Sequence, residues 1–343
     1  MLCVRWYTLR PVPFDVPPLV LAAYRFEHDV LSPITVGLIN QTYRVERSGR
    51  PLAVLQRLHP IFEATVNEDL EVIARHLAAR GLTTPHLIRT VEGHSHVESD
   101  GIWRALTFVE GRTLTEVTSP AIAHAAGLLA GRFTRALEGF EHTFQFSRVG
   151  VHDTAAHLAA LEKAITGDAE GRPLAEAILE HAHALQGLPS TRRRIVHGDL
   201  KITNLLFEPH RDVGLAAVDL DTLAHGTFPV ELGDALRSWC NPAGESREGG
   251  IAVDLFEAAL AGVRESVVLD PDERDAIVLG VETITTELAS RFCRDVFEDR
   301  YFGWDSTRYA SRRAHCLARA RSQLTLARSI RERRAELEAI ARR

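Results

Sequence analysis

Two hydrophobic rhythms divide the chain. Before Phe108, short apolar runs alternate with turns; from Pro120 onward, apolar residues recur at helical spacing. Residues 1–18 are Pro-rich and read as an irregular lead-in, and residues 19–29 (LVLAAYRFEHD) as a helix. Ile34-Thr35-Val36 is a short strand broken by Gly37. Thr42–Val45 and Leu52–Leu58 are strands, and Ser48-Gly49-Arg50 between them is the turn of a hairpin. Residues 63–80 set Val66, Leu70, Ile73 and Leu77 on one helical face, with Gly81 as the stop. Residues 86–91 and 102–109 are two further strands. The first 109 residues thus describe a small lobe, an antiparallel sheet with a helix packed on it.

Phe108-Val109-Glu110-Gly111-Arg112 reads as a crossing point. Beyond it, residues 120–138, 152–165, 173–186, 250–264, 271–296 and 306–341 have helical composition, and Glu231-Leu232-Gly233-Asp234 with Arg237 opens a further helix. Within this helical half one island, residues 194–221, has strand and loop character. The expected fold class is α+β with two lobes, an antiparallel-sheet lobe over 1–109 and a larger helical lobe over 110–343.

Composition narrows the class. Hydrophobic residues make up 45% and charged residues 25%, as in an ordinary globular enzyme. The formal net charge of −6 leaves no excess of cations to hold a nucleic acid, so none is expected as a partner. The four cysteines, Cys3, Cys240, Cys293 and Cys316, form no C-x-x-C pair, which argues against a zinc site and for reduced thiols. No run approaches the roughly 20 apolar residues that span a bilayer, and the N-terminus does not read as a signal peptide; a cytoplasmic protein is expected.

The island carries the chemistry. Ile195-Val196 is a strand, His197-Gly198-Asp199-Leu200-Lys201-Ile202-Thr203-Asn204 a polar loop, Leu205-Leu206-Phe207 a strand, and Ala216-Ala217-Val218 a second strand ending in Asp219-Leu220-Asp221. An Asp, an Asn five residues on, and an Asp at the end of the next strand form a phosphoryl-transfer layout. A hydroxyl nucleophile must lose its proton as it attacks phosphorus, and Asp199 is the candidate base. The terminal phosphate and leaving group carry heavy negative charge, which magnesium neutralises; Asn204 and Asp219 offer the oxygen ligands it takes. Lys201 is placed to meet the transferring phosphate as a point charge. His197 braces the loop, and Asp221 assists the metal or fixes the loop. Trp103, Trp239 and Trp304 read as core residues before they read as stacking platforms.

These residues resemble the aminoglycoside phosphotransferase and choline kinase superfamily, which has a protein-kinase-like fold. Gly37-Leu38-Ile39-Asn40-Gln41-Thr42-Tyr43-Arg44-Val45, Val54-Leu55-Gln56-Arg57, Val151-His152-Asp153-Thr154, Val218–Thr222, Glu231–Arg237, Thr286–Phe292 and Tyr301-Phe302 look like the N-acetylhexosamine 1-kinase group. The resemblance implies transfer of the γ-phosphate of ATP to the anomeric hydroxyl of an N-acetylated hexosamine, with magnesium. It puts the base on Asp199, the metal on Asn204 and Asp219, and Asp153 and Arg291 near the sugar. ATP then lies in the cleft with its adenine near Val109. The chain departs from protein kinases in lacking a G-x-G-x-x-G loop, so Gly37 and the polar Asn40-Gln41-Thr42 must hold the phosphates. It also lacks the strand lysine; Arg57 or Gln56 stands there, with Glu68 or Glu71 on the next helix as a partner for Arg57.

Three alternatives remain open. One is the same chemistry on an aminoglycoside, choline, an amino alcohol or another sugar, which Glu245, Glu248 and Asp254 would favour if they lined the acceptor site. Another is a catalytically silent kinase-like binding module. The third is a protein kinase, disfavoured because no long activation segment separates Asp219 from Glu231.

Overall fold

The structure, a computed structural model, describes residues 16–34, 40–147 and 150–343. The expectations for Gly37, for most of the Pro-rich lead-in and for Thr35-Val36 lie outside these residues. The chain forms two compact units, one containing residues up to Glu110 together with Glu141–Ser147, the other the remainder.

The first unit opens with α1 (Pro18–Tyr24) and builds a six-stranded sheet from β1 (Val30–Ile34), β2 (Gln41–Arg47), β3 (Arg50–Arg57), β4 (Leu87–Ile88), β5 (Val97–Glu98) and β6 (Ile102–Thr107), with α2 (Val66–Ala79) between β3 and β4. The sheet order is β1-β2-β3-β6-β4, with β5 also on β6, and every pairing is antiparallel. Alternation along the strands sorts the side chains onto two faces. Tyr43, Val45, Ala53, Leu55, Trp103 and Ala105 form a buried core with Val20, Tyr24 and Phe26. Thr42, Gln56 and Arg104 are register partners on the opposite face. The helix expected over 19–29 stops at Tyr24. Arg25 turns left-handed (φ 56°), and Phe26 N–H folds back onto the Leu21 carbonyl at 2.8 Å, which buries the Phe26 ring. The strand expected over 86–91 shrinks to Leu87–Ile88, because Thr90 and His94 close a turn.

Segment 141–147 belongs to this unit through Asp69 of α2. That buried carboxylate accepts from His142 Nε2 (2.7 Å), Gln145 N–H (3.0 Å) and Phe146 N–H (2.9 Å).

The second unit contains β7 (Arg112–Thr113), α3 (Pro120–Ala136), α4 (Thr154–Ala164), α5 (Gly171–His183), β8 (Arg193–Val196), β9 (Leu205–Phe207), β10 (Gly214–Ala217), β11 (Ala224–Thr227), α6 (Phe228–Trp239), α7 (Val253–Arg264), α8 (Pro271–Glu298), α9 (Arg312–Glu332) and α10 (Arg334–Arg342). Helix α8 is the axis: α4, α5, α6, α9 and α10 all pack on it. Its inward Thr285, Thr286 and Ser290 hydroxyls donate to carbonyls of the same helix, at 2.6, 2.7 and 2.6 Å, and so enter the core without unpaired donors. The helix expected over 306–341 starts at Arg312, where Ser311 caps it, and breaks at Arg333. On either side of the break, Arg331 and Arg334 both turn to Glu282, a fully buried carboxylate of α8. Trp103 and Trp239 are core residues, as expected.

Candidate active site

The island forms two small ribbons. β10, β9 and β7 make one antiparallel sheet, and β11 pairs with β8 in another. Segment 197–204 leaves β8 and enters β9, and Asp219 follows β10, so the two ribbons bring the polar loop and the second acidic cluster together. The Val218 N–H donates to the Asn204 carbonyl at 2.9 Å and His197 Nε2 to the Val218 carbonyl at 2.9 Å. His197 is fully buried, and burial holds its imidazole below the usual histidine range. A neutral ring donating to the backbone is a brace, the role its position in the motif suggests.

The loop has little room to be otherwise. Gly198 sits at φ +77°, and a Cβ there would lie 2.5 Å from the Thr222 carbonyl. The Thr222 hydroxyl donates to the His197 carbonyl at 2.8 Å, and Trp239 Nε1–H to the Leu200 carbonyl at 2.8 Å. From α6, Glu231 reaches back with both oxygens and accepts the N–H groups of His197 (2.8 Å) and Gly198 (2.9 Å). Burial pushes the Glu231 carboxyl up to about 7, against the opposing pull of those two N–H groups.

Asp199 and its partners are in contact. Asp199 Oδ2 accepts from Lys201 Nζ at 2.5 Å and from Asn204 Nδ2 at 3.0 Å, while Asn204 Nδ2 also donates to the Asp199 carbonyl at 2.8 Å. These bonds engage Asp199 Oδ2 and the Asn204 amide nitrogen, and the Oδ1 atoms of both residues take no part in them. Burial alone would lower the Lys201 ammonium, but the charges of Asp199 and Asp219 and the bond to Asp199 outweigh it and hold it above the lysine range. Asp219 adopts a left-handed backbone (φ 64°, ψ 56°), a conformation aspartate tolerates better than most residues. Asp221 is buried.

Around this core the charges alternate. Asp234 of α6 pairs with Arg237 at 2.7 Å, and Arg237 Nη1 also lies 3.9 Å from Glu245. Arg319 of α9 closes on Glu245 at 3.2 Å. Burial would raise the Asp234 carboxyl, but Arg237, His152 and Lys201 hold it below the aspartate range. His152 Nδ1 meets Glu287 of α8 at 3.2 Å, and Thr154 donates to the other Glu287 oxygen at 2.7 Å. Burial disfavours the His152 cation, yet Glu287 and the charge of Asp234 raise its pKa above the usual value. Arg291, one helical turn beyond Glu287, lies 3.8 Å from it and 3.5 Å from the Tyr301 hydroxyl. The Val151–Thr154, Thr286–Phe292 and Tyr301-Phe302 segments therefore converge. Within the first of them, the Asp153 carboxylate is exposed and caps α4 by accepting the Ala156 N–H at 2.9 Å. His152 and Thr154 are the side chains that reach Glu287. Spacing alone gives neither of them a partner, although both stand in the Val151-His152-Asp153-Thr154 motif.

The carboxylates that would favour a cationic acceptor have other duties. Glu245 is held by two buried arginines, Glu248 accepts from Thr325 Oγ1 at 2.8 Å, and Asp254 opens α7.

In the first unit, Asn40 Oδ1 accepts the His59 N–H at 2.9 Å, which ties the start of β2 to the end of β3. Thr42 accepts from Gln56 Nε2 at 3.3 Å. Arg57 lies on the opposite side of β3 from Gln56, and its guanidinium is bound to Asp100. The expected pairing of Arg57 with Glu68 or Glu71 does not occur: Glu68 accepts from Ser95 at 2.8 Å and Glu71 takes Arg89. The strand parity of β3, which separates Arg57 from α2, is the reason. Val109 follows β6 near the end of this unit.

Residues 30–265 match the model of the phosphotransferase enzyme family. Among solved structures, the chain resembles a microcompartment-associated aminopropanol kinase (16% identity, 94% of this chain and 97% of that one, TM-score 0.64). It resembles an amicoumacin kinase in complex with AMP-PNP and Ca2+ (16%, 90% and 91%, 0.63) and a choline kinase from Cryptosporidium parvum (12%, 91% and 91%, 0.59). At these identities the likeness is one of fold, a kinase-like α+β fold. No helix among the described residues is long and apolar enough to cross a membrane.

Proposed function

The chain belongs to the phosphotransferase enzyme family, and from that premise we propose that it transfers the γ-phosphate of ATP to a hydroxyl of an uncharged sugar, the anomeric hydroxyl of an N-acetylhexosamine being the first candidate. Asp199 Oδ1 takes the hydroxyl proton as the oxygen attacks phosphorus, while Lys201 and Asn204 hold Oδ2 and fix the direction of that lone pair. Lys201, kept charged by its acidic neighbours, then stabilises the phosphate oxygens. A divalent cation fits the donors present. The Asn204 amide oxygen and the Asp219 carboxylate are hard oxygen ligands, and a cation held by only two protein groups takes its remaining oxygens from phosphate and water. Among the described residues no group of three or more His, Cys, Asp and Glu forms a metal cage of its own. When bound, such a cation would neutralise charge on the nucleotide's phosphates.

One observation carries the choice of acceptor: three carboxylates near Asp199, those of Asp234, Glu245 and Glu287, are each matched by cations. Asp234 has Arg237, Glu245 has Arg237 and Arg319, and Glu287 has His152 and Arg291. An ammonium acceptor needs an unmatched carboxylate to repay its desolvation, whereas hydroxyls and an acetamide are served by bonded side chains with donors and acceptors to share. Arg291 and the half-exposed Tyr301 ring beside it offer a donor and an apolar face, the pair a pyranose uses.

The test is ADP release with magnesium and ATP over N-acetylglucosamine, N-acetylgalactosamine, glucosamine, glucose, choline, aminopropanol and an aminoglycoside. An N-acetylhexosamine should drive turnover, give an anomeric phosphate, and lose about 10²–10⁴-fold in kcat in Asp199→Asn. Turnover with only the cationic acceptors would leave the family chemistry standing and sink the acceptor assignment. ADP binding with no turnover on any acceptor would favour a silent binding module.

A further inference from the structure

Arg104 is one of the largest fully buried side chains in the protein, with 1% of its surface exposed. A buried guanidinium is uncommon and is retained where its fork of donors is used. Here the fork closes on a single atom: Nε and Nη2 both donate to Gln56 Oε1, at 2.9 and 2.7 Å. Nη1 lies 3.4 Å from Asn67 Oδ1, in the first turn of α2. Arg104 therefore joins β6, β3 and α2 through two amide oxygens.

The consequence for Gln56 is chemical. Arginine only donates, so the Gln56 atom facing it must be the carbonyl oxygen, and the amide nitrogen must face the other way. That nitrogen points along the sheet to Thr42 Oγ1, 3.3 Å away. One of its hydrogens is thereby used, and the other takes no part in the bonds to Thr42 and Arg104 on the face opposite the α1 core. The carboxylates of α2 nearest in sequence to Asn67 are engaged elsewhere, Glu68 by Ser95, Asp69 by His142, Gln145 and Phe146, and Glu71 by Arg89, and they leave the sheet-to-helix link to Asn67.

We propose that Arg104 is a positioning residue that fixes Gln56 as an uncharged donor to the phosphates of the bound nucleotide, on the sheet face shared with Thr42. This rests on the kinase reading above and adds to it where the first unit grips ATP and by what chemistry. The grip is a neutral N–H and a hydroxyl oriented by a buried cation. The cation is buried on that same face beside Gln56 and acts on the ligand only through the amide. Reversing the amide would turn a carbonyl toward phosphate, so the affinity for nucleotide depends on the guanidinium beside it.

The decisive variant is Gln56→Glu. Its carboxylate keeps both bonds from Arg104 and strengthens them, but it offers no N–H outward. ADP titrated calorimetrically with magnesium should bind at least tenfold more weakly than to the wild type, while the melting temperature holds or rises. The acceptor KM should stay within twofold. Arg104→Lys, which has no planar fork, should weaken ADP binding about fivefold at unchanged acceptor KM. A purely structural Arg104 predicts the reverse: Gln56→Glu would bind ADP within twofold of the wild type, and that result overturns the proposal. A wild type that binds no ADP would instead bring down the kinase reading and this proposal with it.

Discussion

Glu231 shows how much a single side chain contributes to the catalytic loop. Each of its oxygens accepts one loop N–H, so the loop is held only while both oxygens are acceptors. A carboxyl near pH 7 changes that within a working range. Below about 7 it is protonated, one oxygen becomes a donor, and the Gly198 or His197 N–H loses its partner. The kcat of the wild type should therefore fall as pH drops below 7. Glu231→Gln, with an amide N–H2 facing a backbone N–H, should be roughly 10–100-fold slower at every pH and lack that limb. Stability runs the other way. The unfolded carboxyl titrates near 4.5, so between there and about 7 the folded state binds the extra proton. Stability from this group is then full below 4.5 and lost by about 7, on the order of 3 kcal/mol. A pH series of melting temperatures on the two proteins checks it: the Glu231→Gln difference should grow in the variant's favour from pH 5 to pH 8. That Asp199 meets Lys201 and Asn204 was legible in the sequence, because the three stand within six residues on one polar loop between two short strands. The clamp by Glu231 was not, because it exists only once α6 folds back on β8. Nor could spacing show that His152 and Thr154 reach Glu287 while Asp153 caps α4, since the first two contacts form only when α4 packs on α8.

The elements are positioned by close backbone approach as well as by side chains. α3 and α7 meet at glycines: a Cβ on Gly127 would lie 1.9 Å from the Ala259 carbonyl, and one on Gly262 would lie 2.1 Å from that of His124. Neither obstacle can rotate away, since both are helix backbone. Gly127→Ala should cost about 1–3 kcal/mol, read as a lower denaturation midpoint, as the helices are forced apart. Gly187→Ala, with open space around it, should leave the midpoint within error. α3 also packs on β10, the strand that delivers Asp219, so Gly127→Ala should lower kcat as well. The helical periods of the second unit were readable over long stretches because one apolar face persists through several turns. What failed were ends and short pieces. The break at Arg333 depends on a buried carboxylate of another helix, and β7 is two residues whose only claim to be a strand is its pairing with β9. The end of α1 at Tyr24 was set by the burial of Phe26, a tertiary contact that outweighs helical composition.

At the scale of the whole molecule, charge separates the competing acceptors. The chain carries 46 acidic and 40 basic side chains, a formal excess of six negative charges. A cationic acceptor approaching such a surface is drawn in, and its association slows as salt screens the field. From about 0.01 to about 0.1 M salt the Debye length falls from about 30 Å to about 10 Å, so the steering is largely removed over that range. An uncharged acceptor feels no such pull, and near Asp199 the carboxylates of Asp234, Glu245 and Glu287 are matched by Arg237, Arg319, His152 and Arg291. With ATP and magnesium saturating, kcat/KM for the acceptor should therefore change by less than about twofold across this range. For an amine acceptor steered by the net charge it should fall by about tenfold. The measurement uses the ratio for one acceptor at two salt concentrations, so it does not depend on having found the best substrate. A steep fall for every acceptor that turns over, sugars included, would mean that salt acts on the enzyme or the nucleotide. A steep fall confined to amines that are also the faster substrates would show that the matched charges around Asp199 do not set the acceptor class.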